Sequence, residues 1–183
     1  MCWLAVNAFI IQAWLKREDD KWDPMLMQKR KNVKGSLMVF GAISVDGPVA
    51  FIVLKDHVTA DSYLKTLKRY IIPHFKKNPN AVWQEDNAAP HKAKKVQQFL
   101  KEENVFVLEW PPKSPDLSPI ETIWAYMKRK LNKDYPATKE QLRRKLPIIF
   151  KQVATPELCR TLILSFESRV KKCYSVEGNR FQY

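Results

Sequence analysis

Three strand-forming runs occupy the first third of the chain, and the way they are joined leaves few arrangements open. Met1 to Leu15 is almost wholly apolar and carries Trp3, Val6, Phe9, Ile10 and Ile11, the pattern of a central strand buried on both faces. Leu37 to Ser44 (LMVFGAIS) and Val49 to Leu54 (VAFIVL) are separated only by Val45-Asp46-Gly47-Pro48, whose Asp-Gly pair marks a hairpin. Together the runs predict an antiparallel meander. Lys16 to Gly35 is polar and charged, and reads as an excursion with no firm element of its own. A chain that begins inside its own core is expected to lack upstream sequence, because domain termini normally lie at the surface.

Beyond the meander the apolar period lengthens. Thr59 is placed to cap a helix whose face carries Tyr63, Leu64, Leu67, Tyr70 and Ile71, ending at Pro73. Val82 to Gln84 reads as a short strand ending at Asp86, His91 to Glu103 as a helix with Ala93, Val96 and Leu100 inward, and Val105 to Trp110 as another buried strand. Ser118-Pro119-Ile120-Glu121 satisfies two helix-start rules, and Ile120, Ile123, Trp124, Met127 and Leu131 supply the buried stripe. Two further helices are predicted over Lys139 to Gln152, interrupted by Pro147, and over Pro156 to Lys171, before a short surface tail. The expectation is an α/β chain. A mixed sheet of three antiparallel strands plus parallel ones is flanked by helices, similar to the ribonuclease-H-like fold. A core over residues 1–135 is then followed by a C-terminal helical extension, 136–183, packed on it.

Charge narrows the partner. The 32 Lys and Arg against 19 Asp and Glu give a formal net charge of +13, so a polyanion is expected, with salt-sensitive binding. Nucleic acid fits better than membrane, since no apolar run approaches the roughly 20 residues needed to span a bilayer and no secretory leader is evident. A soluble, intracellular protein is expected. Cys2, Cys159 and Cys173 lack disulfide or zinc spacing and read as reduced thiols, and His57, His74 and His91 are too dispersed for a metal pattern. Any metal chemistry must fall to carboxylates.

Asp86 lies in VWQEDNAAPH, which closes a short apolar run, and Glu121 stands at the start of a helix, with 34 residues, positions 87–120, between them. Two acidic groups at the ends of folded elements in a basic chain suggest a divalent-metal site beside a phosphate backbone. Local readings compete: Asp86 as a turn aspartate, Glu121 as a capping-box glutamate.

The segments VWQEDNAAPHKAKKVQQFL and VLEWPPKSPDLSPIETIWAYMKRKL closely resemble the catalytic core of the Tc/mariner superfamily of DDE transposases. The likeness continues more weakly through GSLMVFGAISVDG, TADSYLKTL and SRVKKCYSVEGNRFQY. The resemblance implies an Asp, Asp, Glu triad that binds two Mg²⁺ ions, cuts transposon ends and joins them to target DNA. Asp86 is then the second carboxylate and Glu121 the third, both catalytic and metal-ligating, with the gap typical of the Tc-like branch. It further implies double-stranded DNA as partner, a homodimer that pairs two ends, and action in the nucleus. His91, Lys92, Lys95 and Lys113 become candidate DNA contacts, each also readable as an ordinary local or surface group. Lys128-Arg129-Lys130 resembles a short nuclear-import or phosphate-binding cluster, although a solvated helix face is the better account of it.

The chain departs from the family pattern in its first run. Where members show W-S-D-E-S-x-F, this sequence has Trp3-Leu4-Ala5-Val6-Asn7-Ala8-Phe9, which puts Ala5 in the place of the first catalytic Asp. Asn7 offers a neutral oxygen at best, and Asp19 and Asp20 lie in a charged stretch beyond the run. A catalytically impaired, truncated transposase core lacking its helix-turn-helix region is therefore expected, with a non-catalytic DNA-binding or interaction module as the alternative.

Overall fold

The computed structural model describes residues 2–12, 36–54, 57–112, 114–133, 136 and 138–176, with the backbone alone for 2–12 and 36. One five-stranded sheet organises it, in the order β3-β2-β1-β4-β5. Strands β1 (Cys2–Gln12), β2 (Ser36–Ser44) and β3 (Gly47–Val53) form the antiparallel meander, while β4 (Ala81–Gln84) and β5 (Phe106–Val107) run parallel to β1 beyond it. The mixed sheet expected from the sequence is present, and the first apolar run is its central strand.

The β2–β3 turn is tighter than Asp-Gly alone suggested. Ser44 pairs directly with Gly47, so Val45 and Asp46 form the turn and Gly47 opens the next strand at φ +127°, a conformation that costs glycine little. Ser44 Oγ accepts the Asp46 N–H (3.2 Å) and donates to Gly47 O (3.3 Å). A register shift between Ala42 and Ile43 absorbs Pro48, which has no N–H to give the ladder.

Helices cover both faces. On one side lie α1 (Ala60–Thr66), α2 (Ile72–Lys77) and α3 (Lys94–Glu102), which bury Phe40, Ala42, Ala81 and Trp83 together with Tyr63, Leu67, Phe75, Val96 and Leu100. On the other, α4 (Pro119–Lys133), α5 (Lys139–Val153) and α6 (Pro156–Leu164) cover Leu37, Val39 and Ile43. The final helix α7 (Phe166–Ser175) packs back on the segment before α4. Residues of α5 and α6 share one apolar cluster with β2 and α4.

Five sequence expectations need correction. The helix at Thr59 does not stop at Pro73: a π-helical turn, Leu67–Ile71, widens the backbone and α2 starts with the proline in its first turn, where no N–H is needed. Pro147 does not interrupt α5, because Leu142, Leu146, Ile149 and Phe150 are buried on both sides of it and their packing offsets the lost backbone bond. The last strand is only Phe106–Val107, an edge strand with Phe106 64% exposed, rather than a buried strand running to Trp110. The helix read over Pro156 to Lys171 divides at Ser165 into α6 and α7. His91 also precedes its helix, lying in the turn before α3.

Candidate active site

β4 ends at Gln84, and Glu85 and Asp86 follow it off the sheet. Alternation along the strand sends successive side chains to opposite faces. Trp83 joins the α1–α3 core, and its indole Nε1 donates to Glu85 Oε2 at 2.9 Å. The Tyr63 hydroxyl, also buried, donates to the same oxygen. Glu85 is thus a carboxylate only 4% exposed but satisfied by two donors, the condition under which such burial is tolerated.

His91 completes the corner. Its ring stacks on Tyr63 with centroids 4.3 Å apart, and its Nδ1 lies 2.8 Å from Asp86 Oδ1 and 3.9 Å from Glu85 Oε2. The ring is 1% exposed, and Gln97 Nε2 fixes its backbone by donating to His91 O at 2.8 Å. Burial pushes the imidazole pKa down, but the hydrogen bond to Asp86 and the charges of Glu85 and Asp86 outweigh it, leaving His91 above its ordinary value. Asp86 mirrors this. Burial raises its pKa, and the bond and charge of His91 with the Ala88 N–H (3.1 Å) pull it below the usual aspartate value. The corner holds Asp86 as an anion, with Oδ1 committed and Oδ2 without a partner among the described residues.

Asp86 lines an open cleft of about 650 Å³ with Glu85, Asn87, Lys92, Gln97, Val107, Leu108, Glu109 and Trp110. Asn87 closes one end by donating to Trp110 O at 2.8 Å, and the Trp110 ring stacks on Phe166 at 5.8 Å.

Glu121 stands in the first turn of α4, half-buried, and its N–H bonds Ser118 O at 3.2 Å. It is outside the cleft lining. Its helix start is clamped from the C-terminal side by Arg169, a buried guanidinium whose Nη1 donates to Asp116 O (3.2 Å), Nη2 to Thr122 Oγ1 (3.3 Å) and Nε to Ser165 Oγ (3.0 Å). On the same helix, Ile120 and Trp124 sit over Gly41 of β2. Among the described residues no three His, Cys, Asp or Glu side chains gather as a metal cluster.

The other candidates scatter. Ala5 pairs in register with Gln84 on one side and Ile43 on the other, and Asn7 with Gly41. Lys92 is exposed and lines the cleft, Lys95 is ion-paired to Asp61 of α1, and His91 is spent on Asp86 rather than open to a phosphate. Lys113, Asp19 and Asp20 lie outside the described residues. Sequence reading missed Glu85, Tyr63 and Arg169. A Glu-Asp pair after a tryptophan at the end of an apolar run was the one local hint of the first; nothing local marked the others.

The profile of a family described as DDE superfamily endonuclease matches residues 12–143. The chain belongs to that family. Curated relatives place it in the Tc/mariner branch: it is 27% identical over 172 residues to the Tc3 transposase of Caenorhabditis elegans, covering 90% of this chain and 51% of that protein. With the Tcb1 transposase of Caenorhabditis briggsae identity is 30% over 159 residues, covering 84% and 56%. The chain therefore spans about half the length of these relatives. Among solved structures, the catalytic domain of Mos1 mariner transposase superposes with TM-score 0.77 at 22% identity, over 98% of this chain and 84% of that one. The Mos1 mariner paired end complex with Mn gives 0.79 at 22%, over 98% and 56%. Those likenesses establish the fold alone. The family match begins at the last residue of β1, so the strand in which the sequence departs from the family pattern lies outside it.

Proposed function

We propose that this chain is the catalytic half of a Tc/mariner-type transposase, a ribonuclease-H-like endonuclease and strand-transfer core acting on double-stranded DNA. The observation that carries the proposal is the corner after β4, where a buried Tyr63–Glu85–His91 arrangement holds Asp86 ionised with one oxygen uncommitted beside a cleft. A chain with net charge +13 provides the field that draws a phosphate backbone to such a carboxylate.

The donor chemistry suits a hard divalent cation such as Mg²⁺, which takes carboxylate and neutral oxygens. Asp86 and Glu121 are the residues assigned to hold it. When bound, the ion supplies Lewis-acid polarisation of the phosphoryl group and an activated oxygen nucleophile. The chain's own groups do the rest: His91 keeps the Asp86 carboxylate oriented, Lys92 meets phosphate at the cleft, and Arg169 fixes the start of α4 that carries Glu121. Lys95 is a weaker phosphate contact because Asp61 already neutralises it, and Lys113 remains a candidate from sequence.

Two carboxylates without a third fit a single, loosely held ion better than a bridged pair, so impaired catalysis belongs to the proposal, as do a homodimer, nuclear action and the division into a core at 1–135 with a helical extension. A second reading, a non-catalytic DNA-binding module, is favoured by one specific observation: the strand position beside Gln84 is Ala5, which has no oxygen to give. A nicking assay on supercoiled DNA with Mg²⁺ or Mn²⁺ separates the two. Slow cleavage abolished by Asp86→Ala supports the enzyme, and DNA binding with no cleavage under any metal supports the module.

A further inference from the structure

Trp110 lines the cleft beside Asp86 and Pro119 opens α4, yet the segment between them carries Pro111, Pro112 and Pro115, none with an N–H to tie it down. Its one regular element among the described residues is a 3-10 turn, Pro115–Leu117. Helix α7 grips both of its ends. At the cleft end Asn87, next to Asp86, donates to Trp110 O at 2.8 Å, and the Trp110 ring stacks on Phe166 with centroids 5.8 Å apart and planes inclined by 26°. At the α4 end the guanidinium of Arg169, 4% exposed, reaches Asp116 O, Ser165 Oγ and the Oγ1 of Thr122, the neighbour of Glu121. Phe166 and Arg169 are three positions apart in α7 and share one helix face, while Glu167 and Lys171 pair in solvent. A contiguous run of contacts thus leads from Asp86 to Glu121 through a helix that supplies neither carboxylate.

We propose that α7 is a brace setting the spacing of Asp86 and Glu121, with Phe166 and Arg169 as positioning residues. The proposal deepens the metal-dependent reading above and rests on it. A planar fork with fixed donor directions suits the task, because it holds a proline-rich turn and the first turn of a helix in one register. A buried guanidinium is tolerated only while its donors are met, so the Asp116 and Thr122 acceptors cannot drift without orphaning it. Glu121 is held with them. Ligands carried on two separate elements share an ion only where supporting contacts fix both.

The test uses the full chain with Mn²⁺ alone as probe, its dissociation constant read from the free-ion electron paramagnetic resonance signal, with urea unfolding to correct for any loss of folded protein. Arg169→Met keeps an apolar stem and removes the fork, and is expected to weaken Mn²⁺ binding by the folded chain roughly 10-fold, as for residues that orient metal ligands. In a Glu121→Gln background the same substitution should change Mn²⁺ affinity no further, because it acts through Glu121. Phe166→Leu, which keeps apolar bulk but removes the ring, should weaken binding in both backgrounds, because it acts through the Asp86 side. Without metal, Arg169→Met should speed amide exchange at Glu121 and Thr122 and leave Met127 and Leu131 unchanged. Thr122→Val, which removes one acceptor and keeps the guanidinium, repeats the cycle with a smaller loss if Arg169→Met is too unstable to purify. The proposal is overturned if Arg169→Met lowers the urea midpoint but not the Mn²⁺ affinity of folded chain, if its effect is equal in the Glu121→Gln background, or if Phe166→Leu is silent. Should Asp86→Ala and Glu121→Gln weaken Mn²⁺ binding while Arg169→Met does not, α7 only packs and the proposed function stands. If neither carboxylate variant changes Mn²⁺ binding, both fall.

Discussion

The two faces of the sheet solve different problems. The α4–α6 face is an apolar seam in which Phe51 stacks on Phe150 at 4.5 Å and Trp124 lies against both, with Gly41 leaving room for its indole. The α1–α3 face is apolar for most of its extent, then ends at a buried polar corner of Tyr63, Trp83, Glu85 and His91. Apolar packing is tolerant of direction and fixes where elements lie, whereas hydrogen-bonded charges fix how one side chain points. One face thus anchors the helix bearing Glu121, and the other aims Asp86.

That contrast predicts where damage is greatest. Trp124→Ala removes the largest side chain of the seam and should cost about 3–5 kcal/mol, read as a lower urea midpoint. Metal binding should then weaken only through loss of the folded chain. Glu85→Leu strikes the other face by orphaning two buried donors at about 1–3 kcal/mol each, with Glu85→Gln costing less because Oε1 still accepts. Unlike Trp124→Ala, either Glu85 variant should also weaken Mn²⁺ binding in protein that remains folded. Equal loss of Mn²⁺ affinity per unit of stability in both positions would erase the distinction between the faces.

Gly41→Ala is a smaller probe of the seam. A Cβ there would meet Trp124 Cη2 at 2.4 Å, so the indole must shift, a penalty of about 1–3 kcal/mol. The smallest effect is pH dependence at the corner. His91 has its pKa raised on folding, so the stability it lends is fully present below the unfolded value near 6.5 and fades as pH rises through the higher folded value. Asp86, lowered on folding, contributes above its unfolded value near 3.8 and loses that contribution as pH falls further. The difference in melting temperature between wild type and His91→Asn should therefore be largest in the window between them and shrink in mild alkali. A difference constant across pH would remove the charge from the account.

Much of the seam was legible because helical periodicity is local. All five residues assigned to the buried stripe of α4 are buried, and the meander followed from runs bounded by turn residues. The corner was not legible, since Tyr63 reaches Glu85 across 22 positions and Arg169 reaches Thr122 across 47, separations that no local pattern encodes. Phe106 failed for a related reason: its strand sits at the sheet edge, and being at an edge is a property of the whole sheet. Pro73 and Pro147 misled because proline's local penalty was outweighed by a π turn in one case and by packing on both sides in the other.

The central claim is that Asp86 and Glu121, held from opposite faces, share one cation. A crystal structure of the chain grown with Mn²⁺, read by anomalous scattering, tests it most directly. The account predicts one ion about 2.1 Å from Asp86 Oδ2 and from a Glu121 carboxylate oxygen. An ion bound to neither, or the two carboxyl groups on separate sides of the sheet with no ion between them, would contradict it.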